Sequence, residues 1–489
     1  MPGEYLACST YSIFALETRP RGLYRPAVMT RLLDPADSRP VHFVGIAGAG
    51  MSALAELFTL RGILVTGCDS HPENAPDLAA RGIAVVTGHS ADHVSAARAL
   101  VVTSAMPKDH PELVRARELG LPVIRRAEAL GEATAGATLI GVAGTHGKST
   151  TTVMTTEALA AGGLNPTGYV GARVTSWGGN LRPGSDTSFV VEADEYDRSF
   201  LALSPTVAVV TNLEADHLDI YADLADLHRT FTQFVRGARY VVLCADDAGA
   251  NALPTPPTAE VIRYGLHSSD ARLRATALRR AGLGTAFHVV YDGDVLGEVE
   301  LAVPGEHNVR NALAALAVGL AFGLEVPAMA PGLAAFRGVE RRFELLGEVD
   351  GAMVVDDYAH HPTEVRATIE AARTAAPDRR LLVAFQPHLF SRTRDFAREF
   401  AQALALADAV YLADIYPARE QPMPGVTSDL IADVMAEQGR PPVWRGAVTA
   451  LAPALADAVR PGDLVVTMGA GDVTRVGPAL LATHRSAAT

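Results

Sequence analysis

Short runs of consecutive apolar residues recur along the chain, separated by Ala- and Leu-rich stretches with the period of amphipathic helices. The first series falls at residues 41–46, 64–66, 84–87, 100–103 and 122–124. Runs apolar on both faces, with helices between them, predict a parallel sheet covered by helices on both sides. The series restarts at Leu139 and continues at 189–191, 207–210 and 240–243. Around 272–301 the alternation shifts toward strand-strand pairing, with glycine at 282 and 284 and the turn pair Asp292-Gly293. A third series follows Phe336-Arg337-Gly338, at 353–355, 381–385, 409–412 and 464–467. Boundaries near 133–137, rich in Ala, Thr and Gly, and near Gly338 give an α/β chain with units at 38–135, 136–338 and 339–489. The two outer units look alike, and residues 1–37 are expected to be a loose extension.

In the centre and the last unit, apolar strands run directly into polar clusters. These are Glu192-Ala193-Asp194-Glu195, Thr211-Asn212-Leu213-Glu214-Ala215-Asp216-His217, Asp356-Asp357-Tyr358-Ala359-His360-His361 and Gln386-Pro387-His388. Ligands of open parallel sheets bind at such strand ends, so the sequence predicts two active edges that face each other.

Two glycine-rich turns add specific chemistry. Gly144-Thr145-His146-Gly147-Lys148-Ser149-Thr150 joins an apolar run to a helix-like stretch. Such a turn lets backbone N–H groups and the helix N-terminus approach phosphate, Lys148 neutralise the β/γ-phosphates and an adjacent hydroxyl hold magnesium. The match to a P-loop is imperfect, because Val142 stands where that pattern has glycine. Glu192 sits where such sites carry their magnesium-binding acid. His217 alone reads as a hydrogen-bonding loop residue, since histidine is a poor magnesium ligand. The earlier turn, Gly45-Ile46-Ala47-Gly48-Ala49-Gly50-Met51-Ser52-Ala53, formally satisfies a dinucleotide pattern, with Asp69 about 20 residues on. By itself it suggests a nicotinamide oxidoreductase. Its physical content is only a diphosphate seat, which a nucleotide sugar fits equally well.

Composition narrows this picture. A net charge of −13 argues against a general nucleic-acid or anionic-membrane surface. No apolar run approaches the length of a membrane-spanning helix. Cys8, Cys68 and Cys244 are odd in number and far apart, without the spacing of a metal motif or disulfide framework, so a reducing cytoplasm is expected. The first 40 residues lack the apolar core of a signal peptide, and the sequence leaves open whether Met1 or Met29 is the start.

The motifs taken together resemble the Mur ligases. The resemblance rests on Gly144–Lys148, Glu192–Glu195, Asn212–His217 and Gly305-Glu306-His307-Asn308-Val309-Arg310-Asn311-Ala312, in that order and spacing. Finer details carry it further: Thr103-Ser104-Ala105-Met106-Pro107, Arg341-Arg342-Phe343, Phe385-Gln386-Pro387-His388 and Met468-Gly469-Ala470-Gly471-Asp472. It covers the chain from about Val41 to the end of the last unit. It implies Rossmann-like N- and C-terminal domains flanking a P-loop ATPase-like central domain. The implied reaction is ATP-dependent joining of L-alanine to the lactyl carboxylate of UDP-N-acetylmuramate, through an acyl phosphate, in cytoplasmic peptidoglycan precursor synthesis.

By that resemblance Gly144, Thr145, His146, Gly147, Lys148, Ser149, Thr150, His307, Asn308 and Asn311 bind ATP. Ser149, Thr150, Glu192 and His217 bind magnesium, with two ions expected and His217 serving the second. Gly48, Ala49, Gly50, Met51, Ser52, Asp69 and Ser104 bind the UDP-sugar. Tyr358, His360, His388 and Arg392 take the amino acid, with Lys148, His217, His360 and Arg392 catalytic. Leu389 stands where some relatives carry arginine, which leaves open the number of cationic groups around the alanine carboxylate. A sister ligase that adds a recycled tripeptide is the nearest alternative. A catalytically silent nucleotide-binding scaffold is disfavoured by the intact phosphate and magnesium residues. Neither a nucleic-acid nor a membrane partner is expected, and monomer and homodimer both remain open.

Overall fold

The computed structural model describes residues 32–103, 106–215, 220–418 and 420–485. Ser104, His217 and most of the expected N-terminal extension, including Met1 and Met29, lie outside the described residues.

The first sheet contains β1 (Val41–Val44), β2 (Val65–Asp69), β3 (Ala84–Thr87), β4 (Ala99–Val102) and β5 (Val123–Arg125) in the order β3-β2-β1-β4-β5. All its pairings are parallel. β1 and β4 are buried along their whole length, the reason their sequences read as unbroken apolar runs. The order reverses between β1 and β4, so β1 and its glycine turn open a crevice at the switch point.

The central sheet has ten strands, many more than the apolar runs announced. They are β6 (Thr138–Ala143), β7 (Pro166–Val174), β8 (Gly179–Arg182), β9 (Ser185–Glu192), β10 (Val207–Val210), β11 (Tyr240–Cys244), β12 (Glu260–Gly265), β13 (Leu273–Ala281), β14 (Gly284–Tyr291) and β15 (Asp294–Leu301). Their order is β15-β14-β13-β12-β11-β10-β6-β9-β7-β8. The P-loop strand β6 lies between β10 and β9, so the polar clusters after all three strands share one edge. β13, β14 and β15 form the antiparallel meander expected from their turns. Asp292 and Gly293 both take positive φ, 50° and 99°, as a tight hairpin requires. β7, β8 and β12 escape a search for apolar runs because they mix glycine, polar and half-exposed positions.

The third sheet contains β16 (Glu344–Val349), β17 (Ala352–Asp357), β18 (Leu381–Phe385), β19 (Ala409–Ala413), β20 (Trp444–Gly446) and β21 (Leu464–Met468), ordered β16-β17-β21-β18-β19-β20. Its four interior strands match the expected runs, whereas β16 and β20 are edge strands. The outer units therefore differ: the first is all parallel, and the last carries an antiparallel edge at β16.

One apolar core runs from Phe43, Leu54 and Phe58 of the first unit to Val142, Val209 and Leu313 of the central unit. The seam is locked by polar contacts. The Tyr169 hydroxyl donates to the Gly50 carbonyl at 2.5 Å, and Arg173 pairs with Asp77 at 2.9 Å; the same arginine reaches Glu340, at the start of the third unit, at 2.8 Å. Among the described residues no helix is long and apolar enough to cross a membrane.

Candidate active site

β6 remains a strand through Ala143 and the chain bends at Gly144, which explains why Val142, fully buried in that strand, need not be glycine. Gly144 has φ 138°, and a Cβ there would come within 2.1 Å of the Thr211 hydroxyl. Gly147 has φ 78° and caps the Lys148–Ala161 helix; its Cβ would meet Asn311 Oδ1 at 2.7 Å. Both positions therefore need glycine for backbone conformation and for space. Asn212 pins the loop, accepting from His146 N–H at 2.8 Å and donating to the His146 carbonyl at 3.1 Å. The first-turn N–H groups of the helix, from Lys148 onward, are thus presented to the cavity.

Lys148 Nζ lies 2.9 Å from Glu195 Oε1 and donates to the Gly144 and Thr145 carbonyls at 2.7 and 3.2 Å. Burial disfavours its charge, but Glu195, Asp194 and Glu192 outweigh burial and hold its pKa above the ordinary lysine value. It is a half-buried ammonium that stays charged at neutral pH. Ser149 Oγ lies 3.0 Å from both Glu192 oxygens, and Gly171 N–H anchors Oε2 of the same carboxylate at 2.7 Å. Hydroxyl and carboxylate are hard oxygen donors of the kind magnesium prefers, so this pair fits such an ion. Thr150 is buried and lines the larger cavity.

That cavity, of about 600 Å³, lies between the central and third units. His146, Ser149, Thr150, His307, Asn308 and Asn311 line one side, and Arg342, Asp357 and Glu364 the other. His307 is half-buried and its pKa falls to about 4, through desolvation and then the Arg310 and Arg342 charges, so its imidazole is neutral. Asn311 accepts from Thr151 at 3.1 Å, and Asn308 donates to the Pro304 carbonyl at 2.7 Å. Asn311 therefore also ties the Glu306–Ala321 helix to the P-loop helix, while Asn308 secures the start of its own helix.

A second cavity, of about 290 Å³, is lined by Gly48, Ala49, Gly50, Met51, Thr103, Arg126, Tyr169, Glu192 and Asp194, among others. Gly50 leaves room for Arg126, whose Nη1 a Cβ would approach to 2.8 Å. Asp69 accepts from Ala47 N–H and His71 N–H, both at 2.9 Å, so its carboxylate holds the glycine turn in shape. Ser52 bonds back to the Ala49 carbonyl within the first helical turn.

The third unit brings Tyr358, His360, His388 and Arg392 together. The His360 ring lies 5.1 Å from Tyr358 and 5.6 Å from His388, edge to face, and Arg392 Nη1 is 3.5 Å from His388 Nδ1. The Arg341 and Arg342 guanidinium groups sit over the Tyr358 ring at 4.7 and 5.3 Å. Leu389, at φ 70°, caps the Phe390–Leu404 helix that carries Arg392.

Glu364 was not singled out in the sequence, yet it joins the two edges. Its carboxylate lies 3.2 Å from His146 Nδ1 of the P-loop and 3.2 Å from His360 Nδ1. Burial opposes its charge, but His360 and His146 outweigh that and hold it well below the ordinary carboxylate range. Burial likewise opposes the His146 charge, and Glu364 and Glu214 overcome it, raising its pKa to about 9. Arg126, Tyr169 and Glu364 lie outside the glycine, strand-end and histidine clusters that drew attention. Only the capping position of Glu364, third in the Pro362–Ala375 helix after His361, gave it a signal, and that signal was structural.

Three family models match in chain order: "Mur ligase family, catalytic domain" over residues 40–138, "Mur ligase middle domain" over 142–319 and "Mur ligase, glutamate ligase domain" over 341–471. The chain is 48% identical to the UDP-N-acetylmuramate–L-alanine ligase of Paenarthrobacter aurescens, over 90% of this chain and 96% of that one. It is 44% identical to the enzyme of the same name from Salinibacter ruber, over 91% and 94%. Among solved structures, a UDP-N-acetylmuramate–alanine ligase from Thermotoga maritima superposes with a TM-score of 0.79 at 28% identity, covering 92% of this chain and all of that one. A murein peptide ligase from Psychrobacter arcticus gives 0.67 at 26% identity. With three consecutive family domains on three consecutive sheets, this chain belongs to the Mur ligase family.

Proposed function

We propose that the chain uses ATP to join L-alanine to the lactyl carboxylate of UDP-N-acetylmuramate, releasing ADP and phosphate. One observation carries the reading: the two cavities meet at the Ser149–Glu192 pair. Glu192 lines the smaller cavity beside the diphosphate-seating turn, and Ser149 lines the larger one at the start of the P-loop helix. A carboxylate presented from one side and a γ-phosphate from the other therefore converge within reach of Lys148.

A carboxylate does not react with an amine until one of its oxygens becomes a leaving group. Attack of the lactyl oxygen on the γ-phosphorus forms the O–P bond, breaks the β–γ bridge and expels ADP. The amine of L-alanine then bonds to the activated carbonyl carbon and the C–O bond to phosphate breaks. Lys148 stabilises the charge that develops on the transferring phosphoryl group. Gly144–Thr150 seats the phosphates, while the neutral His307, with Asn308 and Asn311, forms the base pocket. Ser149 and Glu192, with Thr150 next to them, hold magnesium, which supplies charge neutralisation at the phosphates. His217, outside the described residues, is assigned to a second ion by resemblance alone. On the acceptor side Arg392 clamps the alanine carboxylate. His360, kept in place by Glu364 and the Tyr358 carbonyl, orients the amine and accepts its proton.

ADP release measured with UDP-N-acetylmuramate, ATP and each of L-alanine, recycled tripeptide and no acceptor tests the reading. L-Alanine should give the highest kcat/KM and omission of acceptor almost no turnover. A higher kcat/KM for tripeptide would reassign the protein to peptide recycling.

A further inference from the structure

On the face of the first sheet covered by the Pro111–Glu118 helix, remote in sequence from the P-loop, four metal-ligating side chains meet. His42 comes from β1, Cys68 from β2, His93 from the short 3-10 helix Ala91–Val94 and Glu112 from the Pro111–Glu118 helix. Each offers one ligand atom, and these atoms all lie within 4.8 Å of one another. Cys68 Sγ is 3.1 and 3.2 Å from the two Glu112 oxygens, and His93 Nδ1 is 2.9 Å from Oε1. Around a tetrahedral zinc ion, ligand atoms stand roughly 3.3–3.7 Å apart, given the usual Zn–N and Zn–S lengths. The spacing already approaches that of a coordination shell.

Two features are hard to explain as a plain hydrogen-bond network. Glu112 is completely buried, and among the described residues its ion-pair partners are only the histidines His89 and His93, with no lysine or arginine. A buried carboxylate without a permanent cation is costly. His42 is 2% exposed; its Nδ1 is held by the Thr66 hydroxyl at 3.0 Å, while Nε2 is buried with no hydrogen-bond partner. One ring nitrogen fixed by an outer partner and the other left open is how metal-binding histidines are usually oriented.

We propose that His42, Cys68, His93 and Glu112 form a zinc site of the first unit, separate from the magnesium-binding residues of the ligase centre. One thiolate, two imidazoles and one carboxylate suit a borderline-soft divalent ion and not magnesium. Three of the ligands are fully or nearly fully buried and His93 is largely so, which marks the site as structural. Its leverage is on the glycine turn: the Cys68 carbonyl accepts from Gly45 N–H at 2.8 Å and Ile46 N–H at 3.1 Å, and the next residue is Asp69, which holds Ala47. An ion on the Cys68 thiolate braces the strand end on which that turn is built.

The test uses full-length, tag-free protein, stripped with chelator, kept in excess magnesium and titrated with Co²⁺ alone. About one equivalent should bind, with a thiolate-to-cobalt charge-transfer band and tetrahedral visible bands, and Zn²⁺ should displace it. Cys68→Ser should abolish the band, while Cys8→Ser and Cys244→Ser keep it. Because Cys68 is buried, His93→Gln at the partly exposed ligand serves as a second variant. It should fold normally by circular dichroism and weaken Co²⁺ binding at least about tenfold. Zinc should also raise the wild-type melting temperature. A wild-type protein with no thiolate band, or a band that survives Cys68→Ser, would overturn the proposal.

Discussion

Lys148 is charged and largely enclosed, with Glu195 as its counter-ion at 2.9 Å. A positive group fixed in place costs no reorganisation when charge shifts to the transferring phosphoryl group. Lys148→Ala should therefore fold normally and lose turnover by about 10²-fold or more, and a folded variant with near-normal ADP formation would remove the lysine from the chemistry. The role proposed for Glu192 is to hold a cation: Glu192→Ala should then raise the magnesium concentration giving half-maximal rate, and an unchanged magnesium titration would count against that role. Gly147 answers to backbone geometry. Gly147→Ala places a Cβ at φ 78° and 2.7 Å from Asn311 Oδ1, so it should cost about 1–2 kcal/mol in urea unfolding. A neutral result there would mean that the turn relaxes easily.

At the scale of elements, the Pro362–Ala375 helix presents Glu364 to the P-loop and to His360 at once. The linkage has a direction in pH. His146 titrates at about 9 in the folded protein, against about 6.5 in an unfolded chain. Its stabilising contribution is complete below pH about 6.5 and is lost as pH rises through about 9. Glu364 works oppositely: its folded pKa is depressed, so its contribution is present above the ordinary glutamate pKa and is lost as pH falls through the folded value. His146→Gln should thus flatten the alkaline decline of melting temperature between neutral pH and pH about 9. If wild type and variant decline in parallel over that window, the pair does not couple the two edges.

For the molecule as a whole, the proposed function has the three sheets place a UDP-sugar seat, a phosphate seat and an amino-acid cluster around one reaction point. Specificity for the acceptor is then limited by what the third unit can sense. One methyl in an apolar pocket is worth about 1–3 kcal/mol, so L-alanine should be preferred over glycine by no more than about 10–200-fold in kcat/KM. Longer side chains meet steric overlap, for which there is no such ceiling. D-Alanine, anchored by Arg392 and His360, would point its methyl into the wall and should fail. Competing these amino acids for a limiting pool of UDP-N-acetylmuramate measures the ratios, and a glycine preference would refute the pocket assignment.

The two glycine-rich turns, the polar strand ends and the three-unit order were legible in the sequence because each is local: a strand, a glycine and a polar residue within a few positions. The interior strands β1, β4, β10, β11, β18 and β21 were legible for a related reason, since burial on both faces leaves an unbroken apolar signature. The edge strands β8, β16 and β20 were not, because half-exposed strands mix polar and apolar positions. What only the tertiary structure decided is long-range. Glu364 meets His146 across 218 positions and Tyr169 reaches Gly50 across 119. Cys68, which has no metal-motif spacing along the chain, lies beside Glu112, 44 residues away. Chain spacing reports chemistry only where neighbours in sequence are neighbours in space; a parallel sheet, whose strands are joined by crossovers, builds its sites from residues that are not.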